Sequence, residues 1–150
     1  MPGTYTQLLL HIVFSTKGRQ PHITPDLAHR LYPYIGGIIR AEHGVLYDIG
    51  GVEDHVHFYL RWRPDAALSD LMRTVKSRSS KWVHDEFPAL RTFAWQEGYA
   101  AFSVSKSQES AVKNYIAGQA EHHKKEDFNS ELLRLLRAHG VEFDEKYAFD

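Results

Sequence analysis

The chain has 150 residues, 43% of them hydrophobic and 25% charged, which suits one compact domain spanning 1–150 with a core of its own. Cysteine is absent, which excludes disulfides, thiolate zinc sites and iron–sulfur clusters and fits a reducing compartment. A net charge of −1 with histidine neutral gives no overall attraction for nucleic acid, so such a partner would need a local basic patch.

The first predicted strand is Tyr5 to Ser15, apolar on both faces and therefore central in a sheet. Pro25 opens a helix in which Leu27, Leu31, Ile35, Ile38 and Ile39 recur at helical spacing, with Gly44 as its stop and a kink predicted at Pro33. A short strand, Val45 to Ile49, closes at Gly50-Gly51. From Asp54 to Trp62 the pattern alternates, with His55, His57, Tyr59 and Arg61 on one face and Val56, Phe58, Leu60 and Trp62 on the other. An amphipathic helix over about Ser69 to Glu86 follows, with Leu71, Met72, Val75 and Val83 on its stripe.

Phe93 to Val104 reads as a fourth strand broken at Gly98. Ser105 and Ser107 both read as helix caps, and Ser105 with Gln108 matches a capping box for a helix running to about Lys125. A last helix, about Phe128 to His139, carries Leu132, Leu133, Leu135 and Leu136 and stops at Gly140. The order β-α-β-β-α-β-α-α predicts an α+β fold of ferredoxin-like type, with a four-stranded, largely antiparallel sheet and packed helices. The longest apolar runs, such as Leu8-Leu9-Leu10, are far too short to span a bilayer, and Met1-Pro2-Gly3-Thr4 lacks the basic start of a signal peptide. The expected address is the cytoplasm, with no membrane partner.

Ten histidines are present, and spacing decides which of them matter. In His55-Val56-His57 the period of two puts both imidazoles on one strand face, about 7 Å apart along the chain and close enough to share a metal ion. The plain alternative is an exposed face that happens to carry two histidines. Tyr115 and Gln119, four residues apart, share a helix face. A phenol is a weak nucleophile near neutrality unless a metal polarises its target or a neighbour takes its proton. On the plain reading Tyr115 covers the sheet and Gln119 faces solvent.

The run Arg73-Thr74-Val75-Lys76-Ser77-Arg78-Ser79-Ser80-Lys81 holds four cations and no acid. Surface helices normally mix both signs, and cations interleaved with hydroxyls suit phosphates. Arg61 and Arg63 could extend this basic reach. His122 lies seven residues beyond Tyr115, on roughly its face, and is a candidate for touching phosphate or substrate. His11, His22, His29, His43, His84 and His139 have no partner in sequence and are assigned structural or surface roles.

Taken together, these residues resemble the small single-tyrosine transposases of the HUH class, the IS-two-hundred type. The resemblance is carried by Leu10-His11-Ile12-Val13-Phe14-Ser15-Thr16, by Gly50-Gly51-Val52-Glu53-Asp54-His55-Val56-His57 and by Lys76-Ser77-Arg78-Ser79-Ser80-Lys81-Trp82. It continues through Trp95-Gln96-Glu97-Gly98-Tyr99, Phe102-Ser103-Val104-Ser105, Tyr115 with Gln119, and Glu121-His122-His123-Lys124-Lys125, spanning about Tyr5 to Tyr147.

This resemblance implies a ferredoxin-like sheet with the paired histidines on a central strand and the nucleophilic tyrosine on a later helix. His55 and His57 would be the metal pair, Gln119 the third ligand and Tyr115 the nucleophile. The divalent metal would be Mg²⁺ or Mn²⁺, since nitrogen and oxygen donors suit both. The implied reaction is cleavage and rejoining of single-stranded DNA with hairpin ends through a 5′-phosphotyrosine, mobilising an insertion sequence. DNA contacts would come from Arg61, Arg63, Arg73, Lys76, Arg78, Lys81 and His122. A homodimer sharing its tyrosine helices is also implied. Of the competing readings, a histidine-triad nucleotide hydrolase fails because Tyr59 stands where its third histidine belongs. The other is a non-catalytic nucleic-acid-binding module derived from a transposase.

Overall fold

The computed structural model describes residues 3–145, so Tyr147 lies outside the described residues. Four strands form one sheet: β1 (Leu8–Ser15), β2 (Val45–Val52), β3 (His55–Trp62) and β4 (Ala100–Ser103). They lie in the order β2-β3-β1-β4, and each neighbouring pair is antiparallel. With α1 (Pro25–Ala41) and α2 (Leu68–Glu86) as the two crossovers, this is the ferredoxin-like α+β arrangement expected from the element order.

Alternation along the strands separates two cores. Ile12 and Phe14 of β1 and Val56, Phe58, Leu60 and Trp62 of β3 join Leu27, Leu31, Ile35 and Ile39 of α1 and Leu71, Met72 and Val75 of α2. Thr24 caps α1 by accepting a 3.2 Å hydrogen bond from the Leu27 amide, with Pro25 in the first turn. The opposite face of the sheet carries Leu9, His11, Val13, His55, His57 and Tyr59, all buried. Three helices cover it: α3 (Glu109–Ala117), the single turn α4 (Gln119–His122) and α5 (Phe128–Ala138). Leu9 and Tyr59 pack on Ile116 of α3, while Val13 and Phe102 pack on Phe128, Leu132, Leu135 and Leu136 of α5. The face bearing the paired histidines is therefore a second interior, and the exposed-face alternative fails.

Several boundaries differ from expectation. Ladder pairing begins at Leu8, and Tyr5 is exposed. β2 continues through Gly50-Gly51 to Val52. A side chain on Gly51 would run into the His55 carbonyl, so the hairpin closes only because none is there.

Only Ala100–Ser103 of the predicted fourth strand pairs with β1, because Trp95 makes a lone bridge to Thr16 and the Phe93 and Trp95 rings turn into the first core. The Ser105 capping box does not form. Lys106–Gln108 is a 3₁₀ turn, and the Ser105 hydroxyl lies 3.0 Å from that of Ser107. The helix predicted to reach Lys125 breaks at Gly118, whose backbone (φ −90°, ψ 12°) leaves helical geometry. Among the described residues no helix is long and apolar enough to cross a membrane.

Candidate active site

His55 and His57 begin the central strand β3 and are completely buried. Each imidazole is oriented through its Nδ1. His55 Nδ1 donates to Asp54 Oδ1 at 2.7 Å, which leaves Nε2 directed inward. His57 Nδ1 lies 2.8 Å from His11 Nε2, with the two rings stacked at 5.1 Å. This second bond works in either sense. While Nε2 of His57 donates to a carboxylate, His11 donates to Nδ1; with a cation at Nε2, the Nδ1–H of His57 would instead donate to His11 and free the Nε2 lone pair. Burial, then the neighbouring His57, pulls His11 down to about 3, so it is a neutral ring.

A carboxylate that the sequence analysis passed over stands where the inward nitrogens meet. Glu131 of α5 is fully buried. Its Oε1 lies 3.2 Å from His55 Nε2, 3.3 Å from His57 Nε2 and 2.8 Å from His123 Nε2. Its Oε2 accepts from the Tyr115 hydroxyl, and from Gln119 Nε2 at 3.1 Å. Burial alone would raise this carboxyl, but the hydrogen bonds from His123, His55 and His57 outweigh it and hold Glu131 far below the usual carboxylate range. Burial also works against a charge on His55. Its bonds to Asp54, Glu131 and Gln119 win and push it up to about 9. For His57, burial prevails and the ring is lowered.

Gln119 bridges this cluster: Oε1 accepts from His55 Nε2 at 2.9 Å while Nε2 donates to Glu131. The break at Gly118 therefore places Tyr115 and Gln119 on successive helices that reach one carboxylate. Tyr115 is half-buried and lies edge-on to His57, with ring centroids 5.6 Å apart. Burial and then Glu131 raise its phenol above the ordinary value, against the lowering effect of Arg134. Arg134 Nη2 donates to the Tyr115 oxygen at 2.8 Å and to Glu126 at 3.1 Å. His122, half-buried, lies 2.6 Å from Glu126 and 3.0 Å from Arg134. A cavity of about 360 Å³ opens beside Tyr115, lined by His11, Ser103, Ser105, Gln108, Arg134 and His139 among others.

The donor set fits a divalent cation. Two imidazole nitrogens lie 3.2 and 3.3 Å from one ionised carboxylate oxygen, and a cation would displace the proton that His55 Nε2 gives to its acceptors. Those distances are close to the separation of about 3 Å between adjacent ligands at ordinary metal–oxygen lengths. His122, His123 and Glu131 form a second group able to hold one. Asp54 is the carboxylate partner that metal-ligating histidines commonly take, and His11 stands in the corresponding place beside His57.

The remaining predicted contacts lie elsewhere. Arg73, Lys76, Arg78 and Lys81 sit on α2, across the sheet from the histidines. Arg73 pairs with Asp70, Lys81 with Asp85, and Arg63 with Asp65. Lys76 Nζ donates to the carbonyls of Gln96, Glu97 and Gly98. Arg61 and Arg78 are exposed and make no ion pair among the described residues. His122 alone of this set adjoins the tyrosine.

Sequence reasoning missed His11, His123, Glu131 and Arg134. One signal was present for Glu131: Phe128, Glu131, Leu132 and Leu135 fall at i, i+3, i+4 and i+7, which puts a carboxylate on the apolar stripe of its helix.

Comparison with known proteins gives the family. Residues 4–119 match the family model described as Transposase IS200 like. The ISDra2 transposase TnpA of Deinococcus radiodurans is 25% identical over 123 residues, 78% of this chain and 87% of that protein. Among solved structures, a Deinococcus radiodurans protein described as a transposase superposes with a TM-score of 0.66. It is 22% identical, over 79% of this chain and 95% of its own. A REP-associated tyrosine transposase solved with a REP hairpin superposes at 0.61, with 14% identity over 82% of this chain and 73% of its own. Most of the chain, sheet, paired histidines and tyrosine included, thus falls within one family, and the protein belongs to the IS200-like transposases.

Proposed function

We propose that this transposase cleaves and rejoins single-stranded DNA with Tyr115 as the nucleophile, with one divalent cation, Mg²⁺ or Mn²⁺, at His55, His57 and Gln119. The observation that carries the proposal is convergence. The Tyr115 hydroxyl and the Nε2 atoms of both histidines all contact Glu131, within one chain. When bound, the cation supplies a Lewis acid that offsets charge building on a phosphate oxygen. Asp54 and His11 hold the two imidazoles in orientation. Arg134, against the phenolic oxygen, favours the phenolate on Tyr115 as its proton leaves.

Attack of the Tyr115 oxygen on phosphorus would form a 5′-phosphotyrosine as the bond to the 3′ oxygen breaks, releasing a 3′-hydroxyl. The covalent link retains the diester's energy, so a second 3′-hydroxyl can displace Tyr115 without ATP. Single-stranded DNA suits a half-buried nucleophile, because a flexible backbone can bend where a duplex cannot. His122 adjoins the nucleophile. Arg61, Arg63, Arg73, Lys76, Arg78 and Lys81 would bind flanking or hairpin DNA. That DNA would then have to turn around the end of the sheet, where Gln96 links the groove beside Lys76 to Ser15, the strand partner of His55. The hairpin ligand of the REP-associated neighbour supports a structured DNA end.

Labelled single-stranded DNA with Mn²⁺ tests the reaction. A covalent protein–DNA adduct lost in Tyr115→Phe is expected, whereas DNA binding with no adduct in the unaltered protein would support the non-catalytic module. A homodimer with shared tyrosine helices is the alternative to this within-chain arrangement, since the tyrosine would then leave its own chain's Glu131 for the partner's site. Mixing Tyr115→Phe with His57→Ala chains restores the adduct only if one subunit's tyrosine serves its partner's histidines.

A further inference from the structure

Glu131 lies beyond the part of the chain that the family model matches, yet it meets His55, His57, His123, Tyr115 and Gln119. We propose that Glu131 is part of the transposase machinery, a carboxylate that ligates the divalent cation through Oε1 and positions the Tyr115 phenol through Oε2. This rests on the metal-dependent tyrosine reading above and deepens it. It makes α5, a helix outside the sheet's crossovers, a third wall of the site.

Three observations lead there. First, the two oxygens are divided between two tasks. Oε1 faces His55, His57 and His123, while Oε2 faces Tyr115 and Gln119. Second, an ionised carboxylate with no exposure is costly unless its partners repay it. A purely structural role would be served by any apolar residue on the same stripe as Phe128, Leu132 and Leu135. Third, the carboxylate is aimed by structure on both sides. Asp127 caps α5 by accepting from the Ser130 amide at 2.8 Å, and Phe128, Leu132, Leu135 and Leu136 fix the rotation of the helix against Val13 and Phe102. The consequence is geometric. Cation and nucleophile are held by one rigid group, so their separation does not depend on DNA to set it.

The test uses the full chain and Mn²⁺ as probe. Mn²⁺ affinity, followed by electron paramagnetic resonance, is expected to fall at least about tenfold in Glu131→Gln. Glu131→Asp, which keeps the charge but withdraws it by one methylene, should fall between the two. In protein labelled with ¹³C at the glutamate carboxyl, electron–nuclear double resonance should detect coupling from a bound carboxylate, a readout that needs no variant to fold. Tyr115 ring carbon shifts should change in Glu131→Gln.

Wild-type Mn²⁺ affinity in Glu131→Gln, or no carboxylate coupling, overturns the role of Glu131 while leaving the histidine pair standing if His57→Ala still abolishes binding. Tighter binding in Glu131→Gln also overturns it, making the side chain a plug that keeps the cation out. If His57→Ala leaves Mn²⁺ binding unchanged as well, the metal reading of the histidines falls, and this proposal with it.

Discussion

Gly50 of β2 lies so close to Ile116 of α3 that a Cβ on the glycine would sit 2.8 Å from the Ile116 Cγ2 and 2.9 Å from its carbonyl oxygen. The sheet thus sets the height of the helix that carries Tyr115, the residue just before Ile116. Gly50→Ala must push α3 outward or twist it, because the obstruction is partly backbone. Overpacking of this kind costs about 1–3 kcal/mol, measurable by urea denaturation. Protein–DNA adduct formation should drop by more than that loss explains, since the phenol leaves its place beside His57. An adduct yield that merely tracks the folded fraction would show that α3 height does not matter to the nucleophile.

His11 carries a second expectation. It is buried, neutral and bonded to His57 Nδ1, so its contribution is orientation of the neighbouring ring. His11→Phe keeps a ring of similar shape between His57, Phe102 and Tyr115 but removes the nitrogen. The His57 Nδ1 is then left without a partner in the interior, at a cost of about 1–3 kcal/mol. Mn²⁺ affinity should fall by about 10–100-fold, the range seen when an orienting partner of a metal ligand is lost. Unchanged affinity in a folded variant would assign His11 to packing alone.

Much of this architecture was legible from periodicity. Alternation in β1 and β3 and the helical stripes of α1 and α2 gave the order of elements, because burial on one face leaves a repeating mark. The pairing of His55 with His57 was visible for the same reason. Glu131 and His11 were not found, since what defines them is contact across 74 and 46 residues of chain, which no local spacing encodes. The break at Gly118 was missed because the residues around it keep helical hydrogen bonds, from Gly118 to Asn114 and from His122 to Gly118. The absence of acids within Arg73 to Lys81 suggested a free basic face, but Asp70 and Asp85 lie just outside that window and pair with its two end cations.

Lys76 is accordingly expected to behave unlike its neighbours on α2. Its ammonium ties together three successive carbonyls, of Gln96, Glu97 and Gly98, and lies 5.0 Å from the Phe14 ring. Burial pushes it down to about 8, as desolvation does to an amine. Lys76→Met should destabilise the fold by about 1–3 kcal/mol through loss of those charge-assisted hydrogen bonds. Arg78→Met, at an exposed position, should stay within about 0.5 kcal/mol. If Arg78 contacts phosphate, its variant should reduce the salt dependence of DNA binding by about one unit of slope. Equal stability of the two variants would place Lys76 among the surface cations after all.

Acid sensitivity should reside partly where α3 is fastened to the sheet. The buried Tyr59 of β3 donates to Glu109 Oε2 at 2.6 Å, and Lys106 reaches the same carboxylate at 2.9 Å. The bond from Tyr59, then that from Lys106, lowers the Glu109 carboxyl below its ordinary 4.5. A carboxyl whose folded-state value is depressed lends stability above its unfolded value and loses it as pH falls through the folded one. The stability difference between the unaltered protein and Glu109→Gln should therefore be constant from pH 7 down to about 5.5. Below about 4.5 it should shrink toward zero as the proton binds both states. Urea midpoints of both proteins across that range provide the measurement. A difference that persists undiminished at pH 3 would mean that the charge of Glu109 plays no part in holding α3 against Tyr59.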